Sequence, residues 1–278
     1  MALLHRVLRR LLYDPFREER RKEFDRHLRR YATTDDLDVV KSSLDVPVSL
    51  HREFEVWKAS NPVPTHPRVS VCVATYNRSD MLMTRCIPSI LAQDYDNIEV
   101  IVVGDCCTDN TGERLTALRD PRVTWTNLPE RGAYPLDPTR RWMVAGTVPR
   151  NYAMDVAAGD FITYLDDDDE YVPHRISTLV ALASDCNADF VWHPFHYEKQ
   201  NSGGWSINSA NEIRYGNVTT SSIFYRAWFR VIRWDAYSDR LKEGCDWTLC
   251  RRISAVGGVS IRCPEPLLRH YAERSRAT

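Results

Sequence analysis

Residues 98–104 read Ile-Glu-Val-Ile-Val-Val-Gly, a near-continuous apolar run broken by a single acid. A run this short and this apolar suits a strand covered on both faces, as strands of parallel sheets are. Such a strand needs helices on either side of its sheet, and the flanking sequence supplies them in alternation. Val69–Ala74 is a second β-rich run, followed by a turn and a helical pattern from about Asp80 to Gln93. After the central run come a helix around Gly112–Leu118, a strand at Val123–Asn127, a helix near Arg150–Ala158 stopped by Gly159, and a strand at Phe161–Leu165. Past Pro173 the pattern gives a helix to about Ser184, a strand at Asp189–His193 and a helix from about Asp246 to Ala255. A Gly/Ser/Asn-rich excursion at 201–210 and a mixed segment to about Asp235 interrupt it. The expected fold is α/β, with a mainly parallel central sheet flanked by helices. In such sheets the working residues sit in loops beyond the carboxyl ends of strands, here 75–79, 104–111 and 166–172.

The first part of the chain differs. Residues 1–31 hold ten basic residues against five acids, with Leu4, Val7, Leu8, Leu11 and Leu12 at helical spacing. Pro15 ends or kinks this first helix, and a second charged helix is expected from about Arg17 to Tyr31. Asn61–Pro67 carries three prolines, at 62, 64 and 67, which forbid a helix. The expected organisation is a helical N-terminal arm at 1–60, a linker at 61–67 and one domain at 68–278. The leucine stripe beside arginines suits either an anionic membrane surface or burial against protein, in the same chain or a second copy.

Composition removes several classes. Lys+Arg 37 against Asp+Glu 38 leaves a net charge of −1, without the basic excess of a nucleic-acid binder. No stretch of 18 uncharged apolar residues exists to span a membrane as a helix. The start lacks a signal peptide's apolar core, and the eight scattered cysteines contain no C-x-x-C pair, so reduced thiols and a cytoplasmic setting are expected.

The most pointed chemical feature is Asp166-Asp167-Asp168-Asp169-Glu170, directly after an apolar strand. Five adjacent acids repel one another, and oxygen-rich clusters attract Mg²⁺ or Mn²⁺. Strand spacing would point Asp166 and Asp168 the same way, toward one ion; the plain alternative is a solvated turn before the next helix. Asp105, at another strand end, can accept hydrogen bonds from a base or ribose, while Asp109 and Thr111 suit helix caps. Thr75-Tyr76-Asn77-Arg78 adds polar groups and a ring able to stack on a base. Neither a G-x-G-x-x-G fingerprint, a phosphate-binding P-loop nor a G-x-S-x-G elbow occurs.

In order, VSVCVATYNR (69–78), SILAQDYDNIEVIVVGDCCTDNT (89–111), PRNYAMDVAAGDFITYLDDDDEYVPHRI (149–176) and EGCDWTLCRRI (243–253) resemble glycosyltransferase family 2, across about 65–271. The resemblance implies the Rossmann-like GT-A fold and metal-dependent, inverting transfer of a sugar from a nucleoside diphosphate to a hydroxyl of a glycan or lipid-linked acceptor. It assigns Thr75, Tyr76 and Asp105 to the base and ribose. Arg78, Asp166 and Asp167 fall in the same nucleotide-sugar site, with Arg150 at the diphosphate. Asp166 and Asp168 form the Asp-x-Asp motif, with Asp168 as the direct ligand of Mn²⁺ or Mg²⁺, and His270 as a further candidate ligand. Asp246 falls at the position of the catalytic base. The chain departs from the family at Gly104, where many members carry an acid, and at Cys245, where a glutamate often precedes the base. Trp192, His193, His196 and Trp205 border the expected acceptor region, where rings stack on a sugar or pack in the core. A nucleotidyltransferase on a related sheet and a non-catalytic nucleotide-sugar or glycan-binding module are the rival readings.

Overall fold

The computed structural model describes residues 46–200 and 203–272. The helices expected within residues 1–31, and the question of what the leucine stripe touches, lie outside the described residues. Val46–Thr278 forms one compact unit by itself.

Its centre is a seven-stranded sheet in the order β10-β6-β9-β4-β1-β2-β3. The strands are β1 (Val69–Thr75), β2 (Ile98–Gly104), β3 (Val123–Asn127), β4 (Phe161–Tyr164), β6 (Phe190–Trp192), β9 (Ile223–Arg226) and β10 (Ser260–Arg262). β1 pairs in parallel with β2 from Val69↔Ile98 to Thr75↔Gly104, and with β4 from Val69↔Phe161 to Cys72↔Tyr164. Both registers bring the carboxyl ends of these strands to one edge, which is where the loops begin. β9 alone runs against its neighbours, antiparallel to β4 and β6.

Strand alternation divides the core into two layers. Val71, Val73, Val100 and Val102 face Leu82, Ile90, Leu115, Ile176 and Leu179. Cys72, Ile101, Val103, Ile162 and Tyr164 face Phe54, Met154, Leu249 and Ile253 on the other side. The first layer is closed by α2 (Ser79–Met81, Leu82–Cys86 and Ile87–Leu91 in succession), α3 (Thr111–Leu118) and α6 (Arg175–Asp185). The second is closed by α1 (Val48–Ser60), α5 (Thr147–Val156) and α7 (Cys245–Val256), while α4 (Pro138–Val144) precedes α5. The middle of α2 widens to a π turn, with the Ile87 N–H bonded to the Leu82 carbonyl. Pro88 follows at once; it has no N–H to give and crowds the carbonyl four residues back, which favours the wider turn.

The sequence reading put residues 48–60 in the arm, and the structure corrects it. In α1 the fully buried Phe54 ring lies 5.0 Å from Trp228 and 4.7 Å from Phe229, and Lys58 pairs with the buried Asp189 at 2.5 Å. The compact unit therefore begins at Val46 rather than at residue 68. Phe54→Ala should lower unfolding free energy by about 3–5 kcal/mol, as large aromatic deletions from cores do. Urea denaturation measures it, and a loss below about 1 kcal/mol would return α1 to a detachable arm.

A smaller four-stranded sheet, ordered β5-β11-β7-β8, stands apart from the main one. It joins β5 (Glu170–Tyr171), β7 (Phe195–Glu198), β8 (Trp205–Asn208) and β11 (Leu268–His270). β11 lies between β5 and β7, so His270 is carried back to the acidic loop.

Candidate active site

The acidic loop follows β4 and folds as a turn, with the Asp169 N–H bonded to the Asp166 carbonyl at 3.0 Å. Strand alternation therefore does not extend through it, and Asp166 and Asp168 meet different partners. Asp166 Oδ1 accepts from Arg150 Nη2 at 2.8 Å, whereas Asp168 Oδ2 accepts from Arg78 Nη1 at 2.7 Å. Asp167 turns inward, accepting from the Thr75 hydroxyl at 2.7 Å and from Arg78 at 3.1 Å. Asp169 is fully buried and takes the His270 Nδ1 at 2.9 Å and the Tyr271 N–H at 3.1 Å. The Ser221 hydroxyl, from the turn before β9, accepts from the Asp166 N–H at 2.9 Å and so pins the start of the loop. Arg85, on α2, donates to the Asp168 carbonyl and lies 3.4 Å over the Tyr271 ring. Sequence reasoning missed Ser221 and Arg85, since neither belongs to a motif.

The electrostatics follow from burial. Desolvation pushes the Asp167 carboxyl up to about 6 despite Arg78, and raises Asp168 against the same arginine with Asp166 adding to the rise. The Asp169 carboxyl is also raised by burial, opposed by its bond to His270. Burial works against a charged His270 ring, yet the Asp169 partner holds it protonated, well above the usual imidazole range. Four carboxylates thus face Arg78, Arg150 and His270, a set of charges whose pairing an anionic ligand with a cation would rearrange.

Thr75, Tyr76 and Asp105 lie together at the ends of β1 and β2. The Asp105 N–H bonds to the Thr75 carbonyl at 2.9 Å, and its carboxylate accepts from the Gly132 N–H at 2.9 Å. Arg131 lies 3.6 Å from the centre of the Tyr76 ring, so one stacking face of that ring is already covered. This 131–132 loop was not foreseen; it follows β3 with no periodicity. Asn77 fastens the neighbouring loop, its Oδ1 accepting from the Thr108 N–H at 2.7 Å. Neither Thr111 nor Asp109 is the N-cap of α3, which is Asn110 without a side-chain bond; instead Asp109 Oδ1 closes a turn before the helix, accepting from the Thr111 N–H at 3.2 Å and the Thr111 hydroxyl at 2.6 Å. Gly104 has a steric cause: a β-carbon there would stand 2.5 Å from both Asn127 Oδ1 and the Trp125 ring. The family's acid at this position has no room here.

Asp246 opens α7, where its Oδ1 accepts the Trp247 N–H at 2.7 Å. A helix N-terminus favours the ionised carboxylate, but burial wins and pushes the group up to about 6, with Asp166 adding and Arg150 opposing. Arg150 therefore sits between the acidic loop and Asp246, stacked 4.9 Å from Trp234 and within 3.9 Å of the buried Cys245 sulfur. Of the aromatic candidates, Trp192 and His193 are core, the latter bonded to the buried Arg175 at 3.0 Å, while Trp205 is 41% exposed.

His270, Asp166 and Asp168 share one region, but among the described residues no three His, Cys, Asp or Glu side chains form a closed metal cage. His270 spends Nδ1 on Asp169, and its other nitrogen could serve a metal only once the proton that this pairing favours is released. Asp166 and Asp168 offer hard oxygens from a single turn. That is the donor set Mg²⁺ and Mn²⁺ take with substrate phosphates rather than in all-protein cages, so the residues fit such an ion.

A mainly parallel sheet with these loops at its carboxyl edge matches the fold class of GT-A glycosyltransferases. The Staphylococcus aureus TarS fragment 1–349, solved with UDP-GlcNAc, has a similar fold: TM-score 0.59 at 18% identity, over 75% of this chain and 60% of that one. A mannosyltransferase of Pyrobaculum calidifontis, solved with GDP-Man and Mn²⁺, has TM-score 0.50 at 20% identity, over 87% of this chain and 68% of that one. An Escherichia coli UDP-Glc:α-D-GlcNAc-diphosphoundecaprenol β-1,3-glucosyltransferase, WfaP, is 28% identical over 53% of this chain and 54% of its own. The chain spans about half the length of such curated relatives, or less. Residues 70–240 match the family described as Glycosyl transferase family 2, and the chain belongs to it.

Proposed function

We propose that the chain transfers a sugar from a nucleoside diphosphate to an acceptor hydroxyl, with inversion at the anomeric carbon. The observation that supports this most is the placement of Asp246: a carboxylate raised toward neutrality, across Arg150 from a loop of paired aspartates. In this reading Asp105 and Thr75 take the base and ribose, beside Tyr76. Arg78 and Arg150 pass from Asp168 and Asp166 to the phosphate oxygens, as guanidinium groups exchange one oxyanion for another. That exchange frees the Asp168 and Asp166 carboxylates for a divalent ion, with His270 beside them. Bound there, Mn²⁺ or Mg²⁺ neutralises charge on the leaving diphosphate, so no protein acid is required. Asp246 accepts the acceptor's proton as the new bond forms, on the face opposite the leaving group. A lipid-linked saccharide is the acceptor class named for the E. coli relative, and we extend it to this chain. Calorimetric titration with UDP, GDP and their Mn²⁺ complexes tests the site. One of them should bind, and more tightly with Mn²⁺; binding of none would contradict the reading.

A lipid-linked acceptor also gives the N-terminal arm a role. No helix among the described residues is long and apolar enough to cross a membrane. We propose that the arginine-flanked leucine stripe of residues 1–31 rests on an anionic bilayer surface. The full chain should pellet with phosphatidylglycerol vesicles and a chain beginning at Val46 should not; equal pelleting would end the idea.

A further inference from the structure

The loop between β8 and the turn at Thr220–Ser222 has no part in the reaction described so far, yet it is firmly built. Asn208 Nδ2 donates to the Gly216 carbonyl and Asn217 Nδ2 to the Glu212 carbonyl, both at 3.0 Å. Arg262, from β10, holds the Ala210 carbonyl at 2.8 Å and the Ser209 carbonyl at 3.3 Å. Side chains from both ends of the loop and from a distant strand thus fix backbone that a solvated connection would leave to water.

What this bracing positions is Tyr215. A β-carbon on Gly244 would stand 3.9 Å from Tyr215 Cε2 and 2.6 Å from Asp246 Oδ1, so ring and carboxylate flank the same glycine. The Tyr215 phenol is raised by burial and then by Asp246 and Glu243, which also places the ring beside both acids. The side chain is nevertheless 51% exposed. A large ring held open to solvent next to a half-buried carboxylate offers a flat apolar surface with polar groups at its rim. The C–H face of a pyranose is complementary to such a surface.

We propose that Tyr215 is the platform for the acceptor: its ring stacks on the apolar face of a pyranose whose hydroxyl is thereby held toward Asp246. The acceptor class is then a sugar hydroxyl, not a lipid alcohol or a protein side chain. This rests on Asp246 being the base.

The probes are p-nitrophenyl glycosides of glucose, galactose and N-acetylglucosamine, in saturation-transfer NMR with UDP and Mn²⁺. The wild-type protein should saturate the ring protons of at least one. Tyr215→Ala should remove the signal and raise the KM for that glycoside about tenfold, the size of one lost stacking contact, with kcat little changed. Tyr215→Phe and Tyr215→Trp should restore both, because they keep the ring. The dissociation constant for UDP with Mn²⁺ should be equal in all four proteins, since the nucleotide is assigned to Asp105, Thr75 and the acidic loop. An unchanged KM in Tyr215→Ala, damage in Tyr215→Phe equal to that in Tyr215→Ala, or no glycoside bound by a wild-type protein that does release nucleoside diphosphate would each overturn the proposal. A wild-type protein that releases none from any nucleotide sugar contradicts the transferase reading instead.

Discussion

Replacing Asp246 by Asn lowers sugar transfer by about 10²–10⁴-fold, the usual contribution of a positioned general base. The amide keeps the size of the carboxylate and can still accept the Trp247 N–H, so the start of α7 stays in place. It cannot take a proton. Donor affinity should change little, because the nucleotide is assigned to Asp105, Thr75 and the acidic loop. The wild-type pH profile carries the same signature. Burial raises the Asp246 carboxyl to about 6, so the group is protonated and inactive as a base below that pH. In the free enzyme kcat/KM should rise about tenfold per pH unit up to about pH 6 and then level off, and Asp246→Asn should lose that limb. Near-normal turnover in the variant would pass the role to another group, with Glu243, three residues before Asp246, the first candidate.

Asp168→Ala should be as damaging for a different reason. The variant removes the Arg78–Asp168 pair, keeps the Arg78–Asp167 one, and takes away one of two oxygen donors from the turn. Transfer should fall about 10³-fold or more, since a metal's charge stabilisation is worth several kcal/mol. Calorimetry of nucleoside diphosphate binding should show that Mn²⁺ no longer tightens it. A metal response equal to wild type would take Asp168 out of the site. The fold should survive, because the buried contacts of the loop belong to Asp167 and Asp169.

The parts of this architecture legible in the sequence are those where burial writes a pattern. β1, β2 and β4 are covered on both faces and read as apolar runs, and the helices between them carry their own periodicity. The small sheet left no such mark. Its strands are two to four residues long, and β11 pairs with β5 about a hundred positions earlier. β9 was hidden for a related reason: its four buried residues lie within a segment with no turn signals to frame them. α1 looks like surface because most of it is, and only its partners Trp228 and Phe229 show that Phe54 is core. Within the site, Asp105 and the acidic run stood out as carboxylates directly after apolar strands, whereas Asp246 was marked only by the family resemblance. Their partners did not stand out. Arg131, Arg85 and Ser221 reach the site from a loop, a helix flank and a short turn, and their roles depend on tertiary placement alone. The strand-spacing argument for Asp166 and Asp168 failed because a hydrogen-bonded turn begins at the first of them.

The most direct test of the account is the release of nucleoside diphosphate from a panel of UDP- and GDP-sugars with Mn²⁺, by the full chain and by Asp246→Asn in parallel. The account predicts release by the wild-type chain from at least one sugar nucleotide, lower in the variant by about 10²-fold or more at equal donor affinity. No release from any donor, or equal release by the two proteins, would contradict it.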